Sequence, residues 1–304
     1  MSGYWTGILS ILAINVIFAY GVFLPVATGQ LNLGGAGFQA LGAYTTGFLA
    51  ATYGAPATLT VPLGMLVAGA IGFLIAFPIL RVRGVYLVLA TFAFAEVVIG
   101  IIINTPALGG PMGLSVPDYV GAGVPLTAAV IVTLLVSYLM STRFGLAMRA
   151  VHDDETVSEL MGVSVRGVQV AAFAIGGALA GLAGTLYALS FGFVEVHAFS
   201  AAASIYVLLY VLLGGTQTAW GPLVGATFFT LLPELLRPVL PEVASLVSRL
   251  TGSAARAPDD SWRFVILGLI TVAMMALRPE GVVTRTLIER LRPGRRTAPE
   301  AAGA

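Results

Sequence analysis

Val168-Gln-Val-Ala-Ala-Phe-Ala-Ile-Gly-Gly-Ala-Leu-Ala-Gly-Leu-Ala-Gly-Thr-Leu-Tyr-Ala-Leu-Ser190 carries no charged side chain from end to end. A helix needs about 20 mostly apolar residues to cross the hydrocarbon core of a bilayer, and this run supplies them. Comparable runs lie near 4–26, 34–53, 58–80, 85–104, 123–141, 201–213, 222–240 and 263–277, parted by short polar or Pro/Gly-rich breaks. With 168–190 they make nine, of which 201–213 and 263–277 are short and read as partial or broken helices. Backbone polar groups in lipid must be satisfied internally. The pattern therefore predicts an all-α polytopic membrane protein, a bundle of about 8–10 transmembrane helices with broken or re-entrant segments. Residues 1–277 form the transmembrane domain, with a cytoplasmic loop at 142–167, and 278–304 a partly disordered cytoplasmic tail. The opening Met1-Ser2-Gly3-Tyr4-Trp5 lacks the basic start of a signal peptide, so the first run reads as a retained helix.

Composition narrows the function classes. Of 304 residues, 58% are hydrophobic and 10% charged, with a mean hydropathy of +0.96; soluble domains run about 25% charged. Cysteine is absent, which excludes disulfides, thiolate nucleophiles and Cys-based metal sites. All 15 basic residues are Arg, so there is neither a Walker-A lysine nor a Schiff-base lysine. A net charge of +1 gives no global field for nucleic acid. No Gly-x-Ser-x-Gly elbow occurs, and His152 and His197 fall in loops on opposite sides of the membrane, where they cannot share a metal. His152-Asp-Asp-Glu155 reads as a solvated helix start rather than a cation site. No catalytic residue, metal or cofactor is expected.

Orientation follows from the Arg residues, because cytoplasmic loops retain the excess of positive charge. Arg81 and Arg83, then Arg143, Arg149 and Arg166, then Arg278, Arg285, Arg290, Arg292, Arg295 and Arg296 fall on one side by span count. Arg237, Arg249, Arg256 and Arg263 fall on the other. Residues 1–80 carry no charge, so the side on which the chain starts stays open.

Gly64, Ala68 and Gly72, Gly177 and Gly181, and Gly221 and Gly225 recur every four residues, the spacing that lets helix backbones approach closely in lipid. Two stretches, 28–42 and 214–225, interrupt apolar runs with Gly and amide side chains. Irregular backbone at membrane depth persists only when it is buried in protein or lines a wet cavity. Gln30, Asn32, Gln39 and Gln217 are thus candidates to line a transport pathway. Glu96 sits well inside a span, at a cost of roughly 3 kcal/mol, and is expected to face the bundle interior. It is either a structural carboxyl or the proton relay of a stand-alone secondary transporter.

In the loop, Thr156-Val-Ser-Glu159 has capping-box spacing. A short helix follows, with Val157, Leu160 and Met161 on one face and Gly162 as its stop. The acids around it, Asp154, Glu155 and Glu159, suit a peg in another protein's groove better than a helix lying on lipid headgroups.

Arg149-Ala-Val-His-Asp-Asp-Glu155, Glu159-Leu-Met-Gly162 and Phe173 through Gly184 together resemble the permease subunits of branched-chain amino acid ABC transporters, the LivM-like family. Gly29 through Gly34, Gly42-Ala-Tyr44, Arg83-Gly-Val-Tyr86, Ala95-Glu96, Gly109 through Gly113, Gly214-Gly215, Gly221-Pro222 and Arg278-Pro-Glu-Gly281 agree with it. The resemblance implies a bacterial inner-membrane importer for branched-chain or related amino acids, urea or short amides. It further implies a second, LivH-like permease in a heterodimer, two cytosolic ATP-binding subunits and an extracytoplasmic substrate-binding protein. Glu159 and Gly162 match the family's EAA-type coupling motif, with Arg149 and Glu155 upstream. His152 and Leu160 depart from the usual pattern, which more commonly has Arg and a small residue there.

Overall fold

A computed structural model describes residues 2–251, 262–277 and 281–283. The expected C-terminal tail, apart from 281–283, and Arg256 lie outside these residues.

All nine apolar runs are helical. In order, and counting the loop helices, they are α1 (Ser2–Val26), α2 (Gly35–Tyr53), α3 (Ala57–Ile79), α4 (Val85–Ile103), α5 (Gly123–Ser141), α6 (Arg143–Asp153), α7 (Glu155–Leu160), α8 (Val165–Phe191), α9 (Ala201–Gly214), α10 (Gly221–Thr251) and α11 (Trp262–Leu277). Loop 142–167 thus holds two helices where the sequence suggested one. Gly145 permits the extra turn: a Cβ there would lie 2.5 Å from the Met140 backbone, so α6 folds back directly beneath α5. Helix α6 buries Gly145, Met148 and Val151 against the bundle.

Helices α1 and α8 are mostly buried, whereas α3, α4 and α5 expose most of their surface. Ile17, Phe18, Tyr20 and Phe23 of α1 anchor the core, and the Tyr20 hydroxyl donates to the Ala219 carbonyl at 3.0 Å. The small-residue stripes do what their spacing predicts: Gly64, Ala68 and Gly72 of α3 are buried, and a Cβ on Gly181 of α8 would stand 2.3 Å from that of Ala68. On the other flank of α8, a Cβ on Gly184 would reach 1.9 Å from the Gln39 carbonyl of α2. Dispersion between close backbones substitutes here for the hydrophobic effect, which lipid does not supply.

Between α4 and α5, strand β1 (Leu114–Ser115) pairs antiparallel with β2 (Phe193–Val194), which follows α8. This pairing ties the α4–α5 connection to the one that follows α8. At the other end, Gly29 packs beside His152, and Gln30 shares a cavity with Arg83 and Glu155. The end of α1 therefore lies with the Arg-rich loops. Helix α1 therefore starts at the end of the bundle opposite the Arg-rich loops, the end that the uncharged first 80 residues left open. Tyr4 lies at that end, where its hydroxyl meets Glu234 and accepts from Arg237 at 2.9 Å.

Candidate functional site

The loop between α5 and α8 is built as a rigid peg. Asp154, in extended backbone between α6 and α7, accepts from the N–H groups of Thr156 at 2.8 Å and Val157 at 3.0 Å. The N-cap is therefore Asp154, two residues before the Thr156 of the expected capping box; a carboxylate is a strong acceptor for the orphan amides of a helix start. Helix α7 ends as its glycine predicts. Gly162 is left-handed at φ 82°, its N–H donates to Glu159 O and that of Val163 to Ser158 O, each at 3.0 Å, the paired bonds of a Schellman motif. Two residues later Ser164 caps α8 by accepting from Gly167 N at 3.3 Å.

The peg presents apolar side chains to water. Leu160 is 82% exposed, Met161 79% and Val157 50%, with Glu159 exposed beside them. Glu155 turns the other way. Its Oε1 accepts from Gln169 Nε2 at 2.8 Å and its Oε2 lies 3.4 Å from Arg83 Nη2. These three border a cavity of about 380 Å³, lined also by Gln30, Leu87, Glu159 and Arg166. Arg83 and Arg166 enter the sequence reading as charges that set orientation, Arg83 also in the block Arg83-Gly-Val-Tyr86, and neither as a contact of this cavity; Gln169 carries no signal. Arg149, half-buried on α6, stands behind the peg.

The expected pathway residues are not gathered in one place. Gln30, Asn32 and Gln39 are buried within the chain. The break at 27–34 satisfies its own backbone: Asn32 Oδ1 accepts from Gly34 N at 2.7 Å, Thr91 Oγ1 from Leu33 N at 3.0 Å and Ser204 Oγ from Ala36 N at 2.8 Å. Gln39 lines a separate cavity of about 190 Å³ with Asn15, Tyr187, Tyr206 and Tyr210. Gln217 is half-buried in the second break, 215–220. There Gly215 has φ 112°, and the N–H groups of Val282 and Val283 donate to Leu213 O at 2.8 Å and Gly214 O at 3.0 Å, so the chain beyond α11 docks on the end of α9.

Glu96 requires a correction, because it is exposed and does not face the interior of this chain. The stripe by which α4 packs is Leu87, Thr91, Ala95, Val98 and Ile102, and Glu96 falls outside it. Among the described residues no group of three or more His, Asp or Glu is placed to hold a metal ion.

The family model described as branched-chain amino acid transport system / permease component matches residues 4–275. The high-affinity branched-chain amino acid transport system permease protein LivM of Escherichia coli (strain K12) is 30% identical over 92% of this chain and 70% of its own length. A probable branched-chain amino acid transport permease protein LivM of Methanocaldococcus jannaschii is 27% identical over 59% of this chain and 55% of its own. The autoinducer 2 import system permease protein LsrC of Klebsiella pneumoniae is 35% identical over 40% of this chain and 38% of its own. No solved structure matches.

Proposed function

The chain belongs to the family of branched-chain amino acid transport permease components, and on that premise we propose that it conducts leucine, isoleucine, valine or a related small amino acid or amide. It is a multi-pass protein of the bacterial inner membrane and the permease part of an ABC transporter. In this reading a second, LivH-like permease completes a heterodimer, two cytosolic ATP-binding subunits drive it, and an extracytoplasmic binding protein delivers substrate. Nothing in the family supports the stand-alone, proton-coupled alternative.

The observation that carries the proposal is the apolar tip of α7. On this six-residue helix, capped at each end, the side chains of Leu160 and Met161 bury little against the rest of the chain. Exposed apolar side chains on a rigid peg suit a groove in a partner, and here the partner is the ATP-binding subunit. Glu159 borders the tip as a polar contact, and Gly162 fixes its exit angle. ATP-driven closure of the two ATPases then rocks the permease pair between outward and inward access, a shift between two pre-existing states. Glu96, on the outward face of α4, belongs to the surface shared with the second permease, where the pathway runs. Gln30 borders the cavity beside α7, Gln39 lines a separate cavity and Gln217 lies in the second break, while Asn32 shapes the first.

Uptake of radiolabelled leucine and urea by vesicles holding the complete transporter tests the reading. ATP-dependent uptake that collapses in Glu159→Arg, while that variant still assembles, is the expected result. Proton-driven uptake by the chain alone, indifferent to Glu159→Arg, would overturn it.

A further inference from the structure

Three segments meet on the inner side of the peg. Glu155 opens α7, Gln169 lies in the second turn of α8, and Arg83 belongs to the short link from α3 into α4, one residue before Gly84 with its φ of 60°. Gln169 is only 7% exposed, and the Glu155 carboxylate accepts from its side-chain amide at 2.8 Å. Arg83 and Glu155 are far more open, at 85% and 37% of their side chains, so their ion pair adds little to folding. Geometry rather than stability is what this cluster supplies. It joins the peg to α8, the helix on which α1, α2 and α3 pack, and to the start of α4, the helix that carries Glu96. The cavity beside it leaves room to move. On its far wall Gln30 Oε1 is buried with no hydrogen-bond partner among the described residues, a ready acceptor for an amide or guanidinium released from Glu155.

We propose that Glu155 is the positioning residue that passes movement of the loop helix to α8 and α4, through its clasp on Gln169 and Arg83. The proposal rests on the docking role of α7 but not on docking by Glu155 itself, which points away from Val157, Leu160 and Met161. An ATPase that pulls on the tip of α7 moves Glu155. A charge-assisted bond to a buried amide and an ion pair to the α3–α4 link then make both segments follow.

The complete transporter in proteoliposomes tests this with Glu155→Ala, Glu155→Arg, Arg83→Glu and the exchange Glu155→Arg/Arg83→Glu. ATPase co-purification, hydrolysis stimulated by loaded binding protein, and leucine uptake are measured together. In the single variants the ATPases should still co-purify and hydrolysis should stay within about twofold. Leucine moved per ATP should fall about tenfold, which corresponds to ~1.4 kcal/mol of lost coupling. The exchange should recover most of that loss, because the Gln169 amide can rotate to offer its oxygen to an arginine. Unchanged uptake per ATP in the single variants, or an exchange that recovers nothing, overturns the clasp. Hydrolysis and uptake falling together with loss of co-purification would make Glu155 a docking contact and overturn it equally. A wild-type transporter without ATP-driven uptake would fault the importer reading itself, a result distinct from all of these.

Discussion

Helices α4 and α5 stand next to each other in the chain, are both 19 residues long and both expose most of their surface, yet their outward faces differ in one respect. The outward face of α5 is aliphatic with an aromatic at its end: Val124, Val130, Ile131, Leu134, Leu135 and Tyr138. That of α4 has Leu89, Phe92, Val97 and Ile101, and in their midst Glu96. Lipid tolerates the first face. A carboxylate near the centre of the second costs roughly 3 kcal/mol against hydrocarbon, so protein or water must cover it. Two helices of the same hydropathy class therefore have different neighbours, and one side chain tells them apart.

The largest effect should come from making α5 resemble α4. Ile131, 64% exposed, becomes a mid-span carboxylate in Ile131→Glu. At ~3 kcal/mol the ratio of folded to unfolded protein falls about a hundredfold, read as a lower midpoint of thermal inactivation of the transporter. A variant that accumulates normally would mean that α5 also faces a partner. The reverse substitution, Glu96→Leu, should leave assembly intact or improved and lower leucine uptake at least about tenfold, the loss of ~1.4 kcal/mol of pathway interaction. Unchanged uptake with greater stability would turn the α4 face over to lipid.

A smaller but more direct contrast uses the absence of cysteine, which makes an introduced thiol unique within this chain. Ala93 is exposed on α4 one turn before Glu96. In the assembled transporter, Ala93→Cys should react with a membrane-impermeant thiol reagent about fivefold faster than Ile131→Cys, because only the thiolate reacts and it forms only in a wet environment. Equal rates would remove the distinction between the two faces.

The sequence made much of this legible, because hydropathy is a property of single segments. Nine apolar runs became helices, the four-residue stripes on α3 and α8 became contacts, and Gly162 became the stop of α7. What failed involves which face meets which neighbour. Glu96 was expected inside because a buried charge needs company, but the stripe by which α4 packs is set by tertiary contacts that no single segment encodes. The capping box at Thr156 lost to Asp154, a competition between two good acceptors that local spacing leaves undecided. Helix α6 was missed because an amphipathic helix at the membrane surface has no long apolar run. Gln30, Asn32 and Gln39 were grouped by polarity alone, whereas the fold sends the first to the cavity beside α7, uses the second as a local acceptor and isolates the third.

Two threonines, one buried on α4 and one exposed on α5, sharpen the comparison with the smallest effect. Thr91 is fully buried on α4, and its hydroxyl donates to Val88 O at 2.9 Å while accepting from Leu33 N at 3.0 Å. It thereby holds the first break against α4. Thr127 on α5 is exposed and donates to Val124 O of its own helix at 3.0 Å. Valine keeps the shape of threonine and removes the hydroxyl. Thr91→Val strands a backbone N–H away from water and should cost about 1–3 kcal/mol, seen as a lower midpoint of thermal inactivation in detergent. Thr127→Val should stay within about 0.5 kcal/mol. If α4 carries Glu96 on its outer side and the break on its inner side, Thr91→Val should also reduce leucine uptake in the surviving folded fraction, because the break then no longer moves with α4. Loss of stability with normal uptake per folded transporter would confine Thr91 to the fold and separate the two sides of α4.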